Sequence, residues 1–353
     1  MPYIAQPKIN TNRQSQINGQ IPKNSVPLKV VFMGTPEFAI PALEALIKSD
    51  FKPCLVITGP DRPVGRGQEI TPPPVKILAQ SAQIKVAQPT TKVEILKEIS
   101  AVCPDLLIVA AYGRILPQSI LNQTKYGALN IHPSILPKYR GPSPIQSAIL
   151  NGDQKTGVTI MLMNEKMDEG PILTQKIVEI AEDENAKTLE EKLAVFGAEL
   201  LLKTLSEWMI LKSTPEPIER LIYPQQQDNA SATYTKIITK QDGKIIWNKS
   251  AQELERQIRA FYSWPGSFSY LPEKNKKIYT KNLRMFKIIE AEILPLEFDK
   301  KIGEIFITND KKLAIQTGKG CLGLREIQLE GGKTISAAEF LNGHPEIIGM
   351  ILE

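Results

Sequence analysis

Order along the chain starts with an apolar run. Leu28, Val30, Val31, Phe32 and Met33 form a stretch that Gly34 interrupts, the pattern of a strand buried on both faces. Four more apolar runs follow: "CLVITG" (54–59), "DLLIVAAYG" (105–113), "GALNIH" (127–132) and "GVTIMLM" (157–163). Helix-like stretches separate the earlier ones. Pro41 suits the first turn of a helix whose inner face is Leu43, Leu46 and Ile47, and 75–83 and 91–100 have helical character. Apolar strands alternating with helices predict a parallel α/β sheet. Thr188-Leu189-Glu190-Glu191 reads as a capping box that opens a long helix through Leu193, Phe196, Leu200, Leu201 and Leu205.

After that helix the pattern changes. Residues 212–233 lose periodicity and gather Pro, Gln and Ser, which predicts a linker. Beyond it, "GKIIWN" reads as a strand. Ser250-Ala251-Gln252-Glu253 is a second capping box, before a helix with Leu254, Ile258 and Phe261 on one face. The short runs "KKIYT", "LRMFKIIEAEI", "GEIFIT", "KLAIQTG" and "GLREIQLEG" then predict a small β-barrel or sandwich. Ser336-Ala337-Ala338-Glu339 caps a last helix, stopped at Asn342-Gly343. Residues 1–27, rich in Asn, Gln, Pro and Ser and without periodicity, are expected to be a disordered extension. The predicted organisation is thus an extension (1–27), an α/β domain (28–211), a linker (212–233) and a smaller β domain (234–353).

Composition narrows the function classes. A chain of 353 residues is comfortable for two domains, and 42% hydrophobic residues supply their cores. The longest apolar run, Leu106 to Ala111, is far short of the roughly 18–20 residues that span a bilayer, so no membrane partner is expected. Cys54, Cys103 and Cys321 lie far apart without a CxxC pair, and there are two histidines. Reduced thiols and no metal site are the expectation. The net charge is +5, with four cations and no acid in residues 1–29, and 19 basic against 16 acidic residues in 228–353. A near-neutral body with a basic second half fits an enzyme that holds a polyanion at its periphery, although ordinary solubility accounts for the same balance. Residues 1–27 lack the apolar core of a secretory signal, and an organellar transit peptide would carry more Arg and Ser.

Candidate chemistry gathers where the fourth apolar run ends. Asn130 and His132 stand two apart, so on an extended segment both point to one side, beyond which ligands bind in open α/β sheets. An amide and an imidazole side by side suit an oxygen that becomes negative during acyl transfer. In isolation, an Asn-x-His is more often structural. Asp168, in the Asp-Glu-Gly turn after the fifth run, could orient His132. The Pro-rich stretch from Ser134 to Ile145 is stiff enough to pack against a flat aromatic ligand, and no GxSxG elbow surrounds Ser134. The segment "TGPDRPVGRGQEITPPP" (58–74) is long for a βα loop. It carries Arg62, Arg66 and Gln68 on flexible glycines, which suits phosphate contacts; a disordered surface loop is the plain alternative. Neither GxGxxG nor GxxxxGK[ST] occurs.

Taken in order, "VVFMGTPEFA", "DRPVGRG", "AAYGRILP", "LNIHPSILPKYRGPSPIQ", "TGVTIMLMNEKMDEGPIL" and "ELERQIRAFYSWPGSF" resemble the methionyl-tRNA formyltransferase family over about residues 30–270. The "NIHPSILP" segment alone is similar to other folate-dependent formyltransferases, including the purine-pathway enzyme. The resemblance implies formyl transfer from 10-formyltetrahydrofolate to the methionine amino group of initiator methionyl-tRNA. It places the catalytic residues at Asn130, His132 and Asp168, and the folate-binding segment at Ser134, Ile135, Leu136 and Pro137. It places the tRNA loop at 58–72, with Arg62, Arg66 and Gln68. It implies a Rossmann-like formyltransferase domain with a parallel-rich sheet, then an OB-like barrel that helps hold tRNA, in a cytoplasmic monomer without metal. Residues 1–27 depart from the family pattern and leave organellar targeting open. The alternatives are a folate-dependent formyltransferase acting on a small amine, and a non-catalytic RNA-binding module.

Overall fold

The structure is a computed structural model and describes residues 28–65, 67–214, 222–272, 283–294 and 298–352. In chain order its strands are β1 (Val30–Gly34), β2 (Leu55–Ile57), β3 (Arg62–Val64), β4 (Glu69–Thr71), β5 (Lys85–Ala87), β6 (Leu106–Ala110), β7 (Ala128–His132), β8 (Lys155–Leu162) and β9 (Ile172–Glu179). Interspersed are α1 (Ile40–Ile47), α2 (Pro74–Ser81), α3 (Lys92–Val102), α4 (Gln118–Leu121), α5 (Pro144–Asn151) and α6 (Ala186–Ser213). Apart from the β3–β4 hairpin, these strands form one seven-stranded sheet in the order β5-β2-β1-β6-β7-β8-β9. It is parallel from β5 to β7, and β8 and β9 add to it antiparallel.

The alternation of side chains along the strands builds two cores. Val30, Phe32, Leu129 and Ile131 enter the one that α1 and α6 cover, while Val31, Met33, Leu107, Val109 and Ala128 enter the one on the α3 and α4 side. α6 lies close against β7: a Cβ on Gly197 would sit 2.8 Å from the Ile131 side chain. The chain order leaves β1 for β2 on one side and returns to β6 on the other. That switch point sets a crevice beyond the carboxyl ends of β1 and β6, next to the end of β7.

The second unit holds α7 (Ala251–Ala260), β10 (Ser267–Pro272), β11 (Leu283–Leu294), β12 (Ile305–Ile307), β13 (Leu313–Gln316), β14 (Cys321–Leu329), β15 (Thr334–Ser336) and α8 (Ala337–Gly343). Its antiparallel sheet runs β10-β11-β14-β13-β12, with β15 on β14. Leu254, Ile258, Phe286, Ile315, Leu322 and Phe340 pack together in its own core. The end of α7 nevertheless belongs to the first unit. Ala260 and Phe261 are buried in the core with Ile145 and Ile149 of α5, and Arg259 donates to the Glu184 carbonyl at 3.0 Å.

Four expectations are corrected, and two strands, β5 and β9, were not foreseen. The fifth apolar run is antiparallel to β7, because the connection through 133–154 brings the chain back with Thr159 opposite His132 and Leu162 opposite Leu129, and β9 then returns antiparallel on its other edge. β5 and β9 carry too many polar residues to read as buried strands. The long helix opens at Asn185, whose side chain accepts from the Thr188 amide while Thr188 reciprocates, so Thr188 closes the capping box instead of starting it. "GKIIWN" is no ladder strand. It makes one bridge, Lys244 to Phe268, and buries Ile245 and Trp247. The Arg-bearing loop is a two-stranded hairpin, with Arg62 opposite Thr71 and Val64 opposite Glu69. "KKIYT" and residues 1–27 lie outside the described residues.

Candidate active site

His132 closes β7 and is 4% exposed. Its Nε2 lies 3.0 Å from the Tyr139 carbonyl oxygen, and its Nδ1 lies 3.7 Å from Asp168 Oδ2. A carbonyl oxygen only accepts, so the neutral ring carries its proton on Nε2. Nδ1 then faces the carboxylate as a second bare acceptor. A donor entering between Nδ1 and Oδ2 satisfies both, and an amine is such a donor. Asn130, half-buried, precedes His132 by two on the same strand and takes the same face. Of the sequence-predicted trio, His132 and Asp168 are brought together by the return of the chain after β8, and Asn130 stands two residues before His132 by strand alternation.

Backbone in the left-handed region frames the site. Tyr139 (φ 61°), Asp168 (φ 53°) and Ala111 (φ 47°) are all non-glycine, and such conformations persist only where the surroundings hold them. Asp168 Oδ2 accepts from the Gly141 amide at 2.8 Å. Gly141 has φ +110°, and a Cβ there would lie 2.8 Å from Thr235 Oγ1 and 2.9 Å from the Thr235 carbonyl. The Tyr139 hydroxyl donates to Asp153 at 2.7 Å and accepts from Asn151 at 2.9 Å. Burial pushes the phenol up to about 12, so it stays a donor at neutral pH.

Members of the 134–137 segment have different roles. Ser134 is fully buried and donates to the Lys138 carbonyl at 2.6 Å, and Leu136 is buried with its amide on Thr159 Oγ1 and its carbonyl on Gln175. Both build the loop. Ile135 and Pro137 keep part of their surface exposed. The buried Tyr112 hydroxyl after β6 has no hydrogen-bond partner among the described residues, and burial raises its pKa. Arg62 and Gln68 are exposed on the hairpin, with Gln68 Nε2 donating to the Gly65 carbonyl; Arg66 lies outside the described residues. The hairpin base is held by Asp61, which pairs with Lys76 at 2.7 Å and accepts from Gln88 at 2.7 Å. The Lys76 hydrogen bond leads in lowering the Asp61 carboxyl pKa. Among the described residues no group of three His, Cys, Asp or Glu side chains converges as a metal ion requires.

Sequence reasoning missed Tyr139, whose backbone carbonyl does the work, and the buried Arg140 beside it. It also missed Gln227, one of three consecutive glutamines in a segment read as a linker. No local signal distinguishes it.

Comparison with known proteins follows the same division of the chain. The formyl transferase family profile matches residues 28–205, and the profile of the formyl transferase C-terminal domain matches 237–345. A methionyl-tRNA formyltransferase of Desulfotalea psychrophila is 42% identical over 330 residues, covering 93% of this chain and 96% of that protein. One of Caldanaerobacter subterraneus subsp. tengcongensis is 39% identical over 92% of this chain and 100% of its own length. Among solved structures, an N-formyltransferase from Helicobacter canadensis in complex with folinic acid and dTDP-3-aminofucose superposes with a TM-score of 0.59 at 23% identity, covering 84% of this chain and 99% of its own. HypX from Aquifex aeolicus in complex with tetrahydrofolic acid gives a TM-score of 0.57 at 16% identity over 92% of this chain, which spans about half the length of HypX. At these identities the two structures show the shared fold.

Proposed function

Because this chain belongs to the methionyl-tRNA formyltransferase family, we propose that it transfers the formyl group of 10-formyltetrahydrofolate to the amino nitrogen of methionine on initiator methionyl-tRNA, with Asn130, His132 and Asp168 at the reacting centre. Similarity over nearly the full length of both chains carries the reading, and the His132–Asp168 acceptor pair supports its chemistry.

An α-amino group titrates near roughly 8, so part of it is neutral at pH 7. Entering between Nδ1 and Oδ2, its N–H groups find two acceptors and its lone pair is left for the formyl carbon. As the new C–N bond forms, the formyl oxygen becomes negative, and in this reading the Asn130 amide donates to it. His132 Nε2 is committed to Tyr139, so the ring reaches that oxygen only through Nδ1, after Nδ1 has taken a proton from the amine. Asp168 beside it stabilises the imidazolium. Breaking the bond to the folate nitrogen, which leaves with a proton, completes the transfer.

The partly exposed Ile135 and Pro137 fit the face of a flat ring of the folate kind. The Arg62 hairpin and the second unit are the surfaces offered to tRNA phosphates. No helix among the described residues is long and apolar enough to cross a membrane; a cytoplasmic monomer is the state this reading implies.

Labelled 10-formyltetrahydrofolate mixed with initiator and elongator methionyl-tRNA tests it. Label is expected on the initiator species. Formyl release to water with no label on tRNA, or transfer to a small amine in preference, would sink it.

A further inference from the structure

Segment 222–235, which joins the two units, is bonded to the back of the reacting centre. Arg140 is fully buried. Its Nε and Nη2 donate to Gln227 Oε1 at 3.0 and 2.8 Å, Nη2 also to Asn229 at 2.8 Å, and Nη1 to the Tyr234 hydroxyl at 3.0 Å. Glu169, 3.6 Å from Nη1, balances its charge. The other end of the Gln227 amide donates to the carbonyls of Asp168 and Gly170, at 2.8 and 2.7 Å. Each donor and acceptor face of that side chain is in use, so its orientation is fixed. Six residues on, Thr233 Oγ1 accepts from the Tyr139 amide at 2.8 Å, and the Arg140 amide donates to the Thr233 carbonyl at 2.8 Å.

The two residues that face the nitrogens of His132 are Tyr139, through its carbonyl, and Asp168, through its carboxylate. Both have left-handed backbone that needs holding. Each is held by one side chain of this segment: Asp168 by Gln227, Tyr139 by Thr233. We propose that Gln227 and Thr233 are positioning residues of formyl transfer, setting the two acceptors that fix the tautomer and aim of His132. The segment between the units is thereby part of the reacting centre's scaffold.

The proposal rests on the formyl-transfer reading, and the test separates the two. Full-length wild type, Gln227→Glu, Thr233→Val and Thr233→Ser are compared in steady-state formylation of initiator methionyl-tRNA, with thermal melting in parallel. Gln227→Glu keeps an acceptor for Arg140 but turns a carboxylate oxygen toward two carbonyls. Thr233 is exposed, so its replacement leaves the fold intact even where Gln227→Glu does not fold. The expected result is kcat lowered tenfold or more in Gln227→Glu and about threefold or more in Thr233→Val. Both KM values should stay within twofold of wild type, melting of Thr233→Val should be unchanged, and Thr233→Ser should recover most of the rate. A kcat in Thr233→Val equal to that of Thr233→Ser, or a loss carried by KM or by the folded fraction alone, overturns the proposal. A wild type that transfers no formyl group overturns the functional reading instead.

Discussion

At His132 the work is divided between two nitrogens, and only one is free for chemistry. Nε2 is spent on the Tyr139 carbonyl at 3.0 Å; Nδ1 faces Asp168 at 3.7 Å. In the proposed transfer, His132→Ala removes the proton acceptor and Asn130→Ala the oxyanion donor. Losing one such donor costs about 3–4 kcal/mol, roughly a hundred- to a thousandfold in rate. Single-turnover formylation by either variant is expected to fall by about that much, and near-wild-type turnover would refute the assignment. Gly141 makes a different demand. Its φ of +110° and the 2.8 Å approach to Thr235 leave no room for a Cβ, while its amide holds Asp168. Gly141→Ala should cost about 1–3 kcal/mol in strain and lower kcat with it, seen as a lower melting temperature and a slower rate in one variant. The approach of Asp168 to His132 was legible because histidine is rare in this chain and its context, a strand end followed by a turn carboxylate, is specific. Arg140 and Gln227 were not, because a buried ion and its amide partner are defined by what folds over them.

Among the elements, α6 shows how a correct pattern can be read one turn out of place. Thr188 and Glu191 have capping-box spacing, yet Asn185 is the better cap and its own box closes on Thr188. Glu190 then falls inside the helix instead of at its start. Burial holds its carboxyl above the usual carboxylate range, with the charges of Glu37 and Glu191 adding to the effect. The folded chain thus binds this proton more tightly than the unfolded chain, so stability falls as pH rises from about 4.3 through the folded value. Glu190→Gln removes that penalty. It should raise the melting temperature relative to wild type at pH 7 and give no gain at pH 4; an equal gain at both would show that the carboxyl charge is not the cause. The hairpin β3–β4 teaches the complementary lesson. Its glycines suggest a loose loop, but cross-strand pairing and the Asp61–Lys76–Gln88 anchor shape it.

For the whole molecule, the question is how two units with separate cores act on one large substrate. Phe261 and Ala260 set α7 into the first unit's core, and 222–235 runs beside the reacting centre, so the second unit is fixed relative to His132. A polyanion spanning hairpin and second unit would displace counterions, and the logarithm of its affinity should fall linearly with log salt. Arg62→Ala should lower that slope by about one and weaken tRNA binding without altering folate affinity; an unchanged slope removes Arg62 from the interface. The sequence by itself determined the two-unit plan, the parallel α/β core and where the candidate side chains Asn130, His132 and Asp168 stand on it. The first two follow from local alternation, and the third from residue types read together with the motifs around them. Only the tertiary structure decided that β8 runs antiparallel, which His132 nitrogen is free, and that the segment between the units holds Asp168 and Tyr139 in place. Each of these depends on contacts across a turn or between segments far apart in the chain, on which hydrophobic periodicity carries no information.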